Sequence, residues 1–88
     1  MFKTMTLEPV LDPRGPEGYI DGMRIAVITA GNPLAKAGFR SGDRLVSFDG
    51  VPLRDPAEIA YLFADLSGQF EVCAERVSGL HCRLVSGL

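Results

Sequence analysis

The sequence predicts a small α+β domain, and three local patterns support this prediction. Asn32-Pro33 and Asp55-Pro56 each combine a helix-capping residue with a following proline, which marks the first turn of a helix. Gly42-Asp43 and Asp49-Gly50 are turn dipeptides at the two ends of an apolar segment, which indicates a strand between them. Residues 69–85 have the pattern of a terminal hairpin. With 88 residues, the chain has room for one modest core.

The segment from Asn32 to Leu53 predicts a helical turn, a strand and a short extended stretch, with a turn on each side of the strand. Leu34 to Ala37 forms one helical turn, and Gly38 suits the left-handed backbone that ends a helix. Arg44 to Asp49 is an apolar strand between the two turns, and the chain continues into a short extended stretch. Asp43 and Asp49 are interpreted as turn residues, because six residues of extended chain hold them roughly 20 Å apart, too far for paired catalytic carboxylates.

Asp55 to Leu66 has the clearest helical pattern of the chain. Asp55 is the cap, and Glu58 three residues later completes a capping box. The helix carries one apolar stripe, formed by Ile59, Leu62, Phe63 and Leu66, with Ala60 on its flank.

The ordered motifs NPLAKAGFRSGDRLVSFDGVPL and RDPAEIAYLF resemble a PDZ domain of the bacterial type. That type has a small-residue helix ending in Ala-Gly, then Gly-Asp, an Asp-Gly turn and a helix opened by Asp-Pro. The resemblance covers roughly residues 18 to 86. It implies a small, partly open antiparallel β-barrel or sandwich of about five strands with two helices. Similar modules occur in the inner-membrane core component of type II secretion and in high-temperature-requirement, site-2 and carboxyl-terminal processing proteases.

The domain boundary follows from this resemblance. Residues 18–88 are predicted to form the PDZ-like domain, and residues 1–17 an N-terminal extension of strand and loop. Thr4 to Leu7 suits a short strand, whereas the prolines and glycines of Asp12 to Gly18 indicate a loop.

The resemblance places a carboxylate-binding loop at Ile20, Asp21 and Gly22. A glycine suits such a loop, because backbone N–H groups converge on an anion only where the chain turns sharply. The alternative is that Gly22 serves a bend or bulge in the strand. Asp21 stands where the family has a hydrophobic residue, and its charge opposes a bound carboxylate.

The resemblance further implies a groove between an open-edged strand, Met23 to Ile28, and the helix at residues 56–66. An extended peptide or C-terminus would add to this strand, with an apolar side chain in a pocket of Met23, Ile25, Ala60 and Phe63. The alternative is that Ala60 and Phe63 belong to the core with the rest of the stripe. The predicted peptide-binding residues are Ile20, Asp21, Gly22, Met23, Arg24, Ile25, Val27, Ala60 and Phe63.

Side-chain parity predicts the register of the terminal hairpin. A three-residue Val77-Ser78-Gly79 loop groups apolar residues on one face, whereas a two-residue Ser78-Gly79 turn mixes charge into that face. The first register is therefore preferred. It puts His81 opposite Glu75 on the outer face, with Cys73 diagonal to His81. A solvated Glu75–His81 pair is favoured there over a metal site formed by the three residues. It puts Cys82 on the other face from Cys73, so no disulfide is expected. The grouped residues are Phe70, Val72, Ala74, Leu80, Cys82 and Leu84.

Composition and motifs limit the possible functions. The net charge of −2 comes from dispersed acidic and basic residues, so nucleic acid is not an expected partner. No apolar run approaches the ~20 residues of a spanning helix, and no nucleophile elbow or phosphate-binding loop is present. We therefore expect no enzyme activity, no cofactor and no direct membrane insertion of these residues.

Two functions remain in the sequence interpretation. The first is a peptide-binding module whose partner is an apolar C-terminus or extended segment, with self-association possible if the chain's own tail, Leu84 to Leu88, enters a neighbour's groove. The second is an assembly domain of a secretion or protease complex with a closed or unused groove, and a weaker third option is regulation of a protease domain. The resemblance implies a periplasmic or membrane-associated parent protein.

Overall fold

The computed structural model describes residues 5–15, 18–55, 57 and 68–86. Its strands form one antiparallel sheet in the order β1-β2-β3-β5-β6, with β4 paired to β3 alone. No helix within these ranges is long and apolar enough to cross a membrane. The elements are β1 (Met5–Leu11), β2 (Ile20–Ile28), α1 (Pro33–Lys36), β3 (Arg44–Phe48), β4 (Val51–Pro52), β5 (Phe70–Arg76) and β6 (Gly79–Val85).

The predicted helix cap at Asn32 is confirmed. The Asn32 side chain is buried and accepts a hydrogen bond from the Leu34 N–H at 2.8 Å, and Pro33 occupies the first turn. The helix ends as expected, since Gly38 has a φ of +94°. This short helix and its following turn lead the chain into β3.

The predicted Asp49-Gly50 turn is also confirmed, and it connects β3 to β4. Both residues have positive φ, 50° for Asp49 and 80° for Gly50, as a type I′ hairpin turn requires. Asp49 also ties this turn to β5, because its carboxylate accepts the Glu71 N–H at 2.6 Å and its own N–H donates to the Glu71 carbonyl at 2.8 Å.

The second predicted helix lies outside the described residues, apart from its cap. The Asp55 carboxylate accepts a hydrogen bond from the Ala57 N–H at 3.0 Å, which is the expected capping contact. Ile59, Ala60, Leu62, Phe63 and Leu66 fall in the part that the structure does not describe.

The core lies on one face of the sheet and beneath α1. Asp43 is buried with it, 3% exposed, and pairs with Arg76 while accepting the Arg40 N–H at 3.1 Å, so it does more than end a turn. The buried apolar residues are Met5, Ile20, Ile25, Leu34, Phe39, Leu45, Phe48, Leu53, Phe70, Val72, Ala74 and Val85.

The predicted register of the terminal hairpin is wrong. β5 and β6 pair without a shift from Phe70 opposite Val85 to Arg76 opposite Gly79, so the turn is the two-residue Val77-Ser78. The physical reason is that β6 is an end strand whose side chains reach solvent on both faces. Val85 is buried on the core face, whereas Leu80 and Leu84 are 64% and 63% exposed on the other. Apolar parity therefore does not identify the buried face of such a strand.

The expectation that no disulfide forms is wrong for the same reason. In the observed register Cys73 lies directly opposite Cys82, with a Cα–Cα distance of 4.1 Å, and the two sulfurs are bonded. The bond joins the last two strands on the outer face of the sheet.

The position predicted for His81 is also wrong. His81 lies opposite Ala74, and its ring packs edge-to-face on Phe39 with a centroid distance of 4.8 Å. Its Nε2 is 3.3 Å from the Ala37 carbonyl oxygen. Cys73 and Glu75 are therefore on the opposite face from His81 and do not form a metal-ligand trio with it.

The N-terminal strand is longer than the predicted Thr4 to Leu7. β1 runs to Leu11 and pairs along the length of β2, with irregularities in register between Thr6 and Leu7 and between Pro9 and Leu11. The proposed domain boundary between residues 17 and 18 stays a prediction, although β1 is part of the same sheet.

Candidate peptide-binding edge

The outer edge of β1 is one of the two ends of the sheet. β1 pairs with β2 on one side, and among the described residues no strand pairs with its other side. A strand in this position presents unpaired backbone N–H and C=O groups to an extended partner.

Half-buried apolar side chains lie beside this edge. Leu7 of β1 and Met23 and Ile28 of β2 pack against the core while remaining partly accessible. Thr6 and Glu8, which alternate with Leu7 on the other face of the strand, are exposed. An added strand would thus find an apolar surface on the core face and a polar one on the outer face.

The predicted open edge at Met23 to Ile28 is wrong, because β2 is an interior strand. β1 pairs with it from Ile20 to Ile28, and β3 pairs with Met23 and Arg24 on its other side. The exposed edge on this side of the sheet is therefore that of β1, one strand away from the predicted one.

Two of the three backbone donors of the predicted carboxylate loop are already in use. The Ile20 N–H donates to the Arg54 carbonyl at 2.9 Å, and the Gly22 N–H donates to the Leu53 carbonyl at 3.0 Å. These bonds join the start of β2 to the chain after β4. Neither N–H group is free to hold an anion in this arrangement.

Gly22 fits the alternative interpretation, a bend with close packing. Its φ is +87°, and a Cβ at this position would lie 2.5 Å from the Leu45 carbonyl oxygen. No side chain fits there without a backbone shift, which explains the glycine without a ligand.

Asp21 faces Arg44 rather than a ligand site. Arg44 Nη1 lies 2.7 Å from Asp21 Oδ1 and donates to the Asp21 carbonyl oxygen at 2.8 Å. Arg44 also pairs with Glu75 of β5, so one guanidinium joins two carboxylates. Asp21 is therefore held in an ion pair within the domain, which it shares with Glu75.

The other predicted peptide-binding residues of β2 do not form one surface, since some are exposed and Ile25 is in the core. Ile25 is fully buried in the core and cannot line an open pocket, whereas Val27 is 57% exposed. Arg24 is exposed and pairs with Glu8 at 3.1 Å across β1 and β2. Ala60 and Phe63 lie outside the described residues, so only their part in a pocket beside Met23 stays a prediction.

Comparison with known proteins identifies the family. A sequence model described as a PDZ domain matches residues 24–72, which is more than half of the chain. The chain belongs to the PDZ-domain family. PDZ domains are in general non-catalytic modules that bind proteins or peptides. A search of curated protein sequences gives no significant match.

Solved PDZ structures share the fold of this domain. The PDZ domain of EpsC from Vibrio cholerae, residues 219–305, aligns with a TM-score of 0.70 and 21% identity over 98% of this chain and 97% of that one. A longer form, residues 204–305, aligns with a TM-score of 0.70 and 20% identity over 98% and 80% of the two chains. The predicted resemblance to the PDZ domain of a type II secretion component is thus confirmed at the level of fold.

A cleft of about 550 Å³ also lies on the outer face of this PDZ domain. Three arginines line it, but each is paired with a carboxylate: Arg24 with Glu8, Arg44 with Asp21 and Glu75, and Arg76 with Asp43. Four carboxylates therefore face three arginines, and the cleft has no excess of positive charge. Nothing in the sequence pattern identified these partners, because they come from different strands and meet only through the sheet order.

Proposed function

We propose that this PDZ domain binds an extended peptide or protein C-terminus by β-strand addition to the outer edge of β1. The observation that carries the proposal is the strand order, which leaves β1 at one end of the sheet with its outer edge unpaired among the described residues. Main-chain hydrogen bonds supply most of the affinity in such a complex, and side-chain pockets supply selectivity.

The side chains along β1 support a preference for apolar ligand residues. On the core face, Leu7 lies opposite Ile25 and beside partly accessible Met23, so an apolar ligand side chain extends an existing hydrophobic surface. On the outer face, Thr6 and Glu8 favour polar ligand residues. Alternating ligand residues would therefore be apolar and polar.

Recognition of a terminal carboxylate by Ile20, Asp21 and Gly22 is not part of this proposal. The N–H groups of Ile20 and Gly22 are already bonded, and Asp21 is paired with Arg44. Affinity then rests on the main chain and on a few apolar contacts, for which a Kd on the order of 10 to 100 μM is expected.

Backbone amide shifts in a peptide titration test the proposal directly. Apolar heptapeptides with free and with amidated C-termini are added to ¹⁵N-labelled protein. The largest shifts are expected for residues 5–11, with similar Kd values for the two peptides. A series of peptides, each N-methylated at one residue, should show lost binding at every second position, because alternate N–H groups of an added strand face β1.

Adjacent residues on β1 provide matched variants. Leu7→Thr removes part of the apolar surface and should weaken binding about tenfold, the effect of losing one buried aliphatic contact. Thr6→Ser, on the other face, keeps a polar side chain and should leave the Kd unchanged. Equal Kd values for the two variants, or no shifts at millimolar peptide, would reject strand addition at β1 and leave the assembly-domain function.

The Cys73–Cys82 disulfide supports a second part of the proposal, that the domain functions in an oxidising compartment such as the periplasm. Disulfides persist there and are rare where thiols are kept reduced. Alkylation with a maleimide-polymer in intact cells, before and after reduction, checks it. Modification only after reduction is expected, and modification of both thiols without a reductant would contradict the assignment.

A further inference from the structure

The opposite end of the sheet, β6, has a second exposed edge with different chemistry. Among the described residues no strand pairs with the outer side of β6. Leu80 and Leu84 are 64% and 63% exposed on its outer face and lie two residues on either side of Cys82. Exposed leucines on a regular end strand favour association with another strand.

The direction of the main-chain groups on β6 follows from its pairing with β5. The Cα atoms of Cys73 and Cys82 are 4.1 Å apart, a spacing typical of a non-hydrogen-bonded pair in an antiparallel ladder. Glu71 agrees with this, because its N–H and C=O both bond to Asp49, away from β6. Leu80, Cys82 and Leu84 lie opposite Glu75, Cys73 and Glu71, the residues of β5 in this non-hydrogen-bonded set. The N–H and C=O groups of these three β6 residues therefore point to the open edge.

Arg83 covers the middle of this edge. Its Nη1 donates to the Cys82 carbonyl oxygen at 2.7 Å. Cys82 is the central residue of β6, so the guanidinium occupies the acceptor that a new strand would use first. The side chain is exposed and can move away from the edge without any loss of core packing.

We propose that β6 pairs antiparallel with β6 of a second copy of this chain, about a two-fold axis at Cys82. Only this register overlaps the whole strand, Gly79 to Val85, with itself. It sets Leu80 opposite Leu84 of the second copy, and it satisfies the outward N–H and C=O groups of both strands. The leucines of the two copies then form one apolar cluster around the two disulfides, which is an isologous interface.

The second copy is the occupant that the strand itself favours. Its leucines are symmetric about Cys82, and no register shift or proline interrupts β6. The contact is also small: a seven-residue edge buries well below the ~800 Å² per partner of a standard interface, so a Kd on the order of 1 mM is expected. The association is independent of peptide binding at β1.

Analytical ultracentrifugation with matched leucine variants tests the interface. Between about 0.05 and about 5 mM, a range that brackets the expected Kd, the apparent mass should rise from one copy towards two. Leu84→Lys should weaken association more than about tenfold, because it replaces both Leu80–Leu84 contacts between the copies with a charged side chain against a leucine. Leu11→Lys, at a 74%-exposed leucine on β1, is the control and should leave it unchanged. A monomer throughout, or equal association of both variants, would overturn the proposal.

Two further measurements test the register and the role of Arg83. In a mixed ¹³C-labelled and unlabelled sample, intermolecular contacts should join the methyl groups of Leu80 and Leu84. Arg83→Ala frees the Cys82 carbonyl and should tighten association about threefold, the effect of one solvent-exposed hydrogen bond. Contacts through residues 5–11 instead, or weaker association of Arg83→Ala, would reject pairing at β6.

Discussion

The two ends of this sheet are protected from uncontrolled pairing in different ways. β1 is irregular, because its register against β2 shifts twice and Pro9 lies within it. On its outer face Glu8 forms an ion pair with Arg24 of β2. β6 is regular along its length and contains no proline, and Arg83 is its one formally charged side chain. Irregularity and proline limit how many residues of β1 a partner can pair with, whereas β6 depends on a single movable side chain. We therefore expect β1 to accept short ligands and β6 to accept a strand of its own length.

The two edge strands are also anchored by different forces. β1 is held by its long pairing with β2 and by Met5, which is 8% exposed in the core. β6 contributes one buried apolar residue to the core, Val85, and depends in addition on the disulfide to Cys73. Packing therefore holds the first edge, and a covalent bond helps to hold the second.

The largest expected effect is on the packing of β1. Met5→Ala leaves a cavity in the core and should lower the free energy of unfolding by about 2 to 5 kcal/mol. Thr6→Ala, at the exposed neighbour, should change it by less than about 0.5 kcal/mol. Urea denaturation measures both values. If the two variants lose equally little, β1 is not anchored through Met5, and hydrogen exchange at residues 5–11 should then be fast in the wild-type domain.

Reduction of the disulfide should have the next largest effect, and it should be confined to β6. Its removal should cost about 2 to 3 kcal/mol, since the nine-residue separation closes a short loop. Hydrogen exchange before and after reduction should accelerate for residues 79–85 and remain unchanged for residues 5–11. The double variant Cys73→Ala/Cys82→Ala should reproduce this result. Uniform acceleration across both edges would mean that β6 is not a separately anchored strand.

The local structure near α1 was predictable because it depends on neighbouring residues alone. Asn32 and Pro33 start a helix, Gly38 ends it, and Asp49-Gly50 makes a tight turn wherever the fold places them. These short-range signals also carried the resemblance to PDZ domains, which gave the fold. Partners that meet across strands, such as Arg44 with Glu75 or Arg76 with Asp43, left no comparable signal.

The hairpin register and the groove were mispredicted because both depend on which strands are at the ends of the sheet. Parity reasoning treated Leu80 and Leu84 as core residues, although at an end strand a leucine can face water. The strand order likewise decided that β2 lies inside and β1 outside. The long pairing of β1 with β2 is a non-local property, which the N-terminal sequence alone does not show. Because Pro9 lies within this stretch, its local sequence predicts only a short, weak strand.

The smallest expected effect concerns Pro9, which sharpens the contrast between the edges. A proline inside a paired end strand normally has its nitrogen toward the open side, where no hydrogen bond to the sheet is lost. Pro9→Val therefore supplies one new outward N–H to a ligand at β1. Stability should fall by only about 0.4 to 1 kcal/mol, since the unfolded chain gains freedom.

Peptide binding provides the decisive measurement on this variant. Peptide affinity at β1 should rise about two- to fivefold in Pro9→Val, the effect of one added hydrogen bond to a solvated ligand. Association through β6 should not change, because residues 79–85 are at the other end of the sheet. A loss of more than about 2 kcal/mol in stability, or weaker peptide binding, would mean that the nitrogen of Pro9 faces β2. In that case proline could not be what limits pairing at the β1 edge, and the register shifts alone would have to explain why the two edges differ.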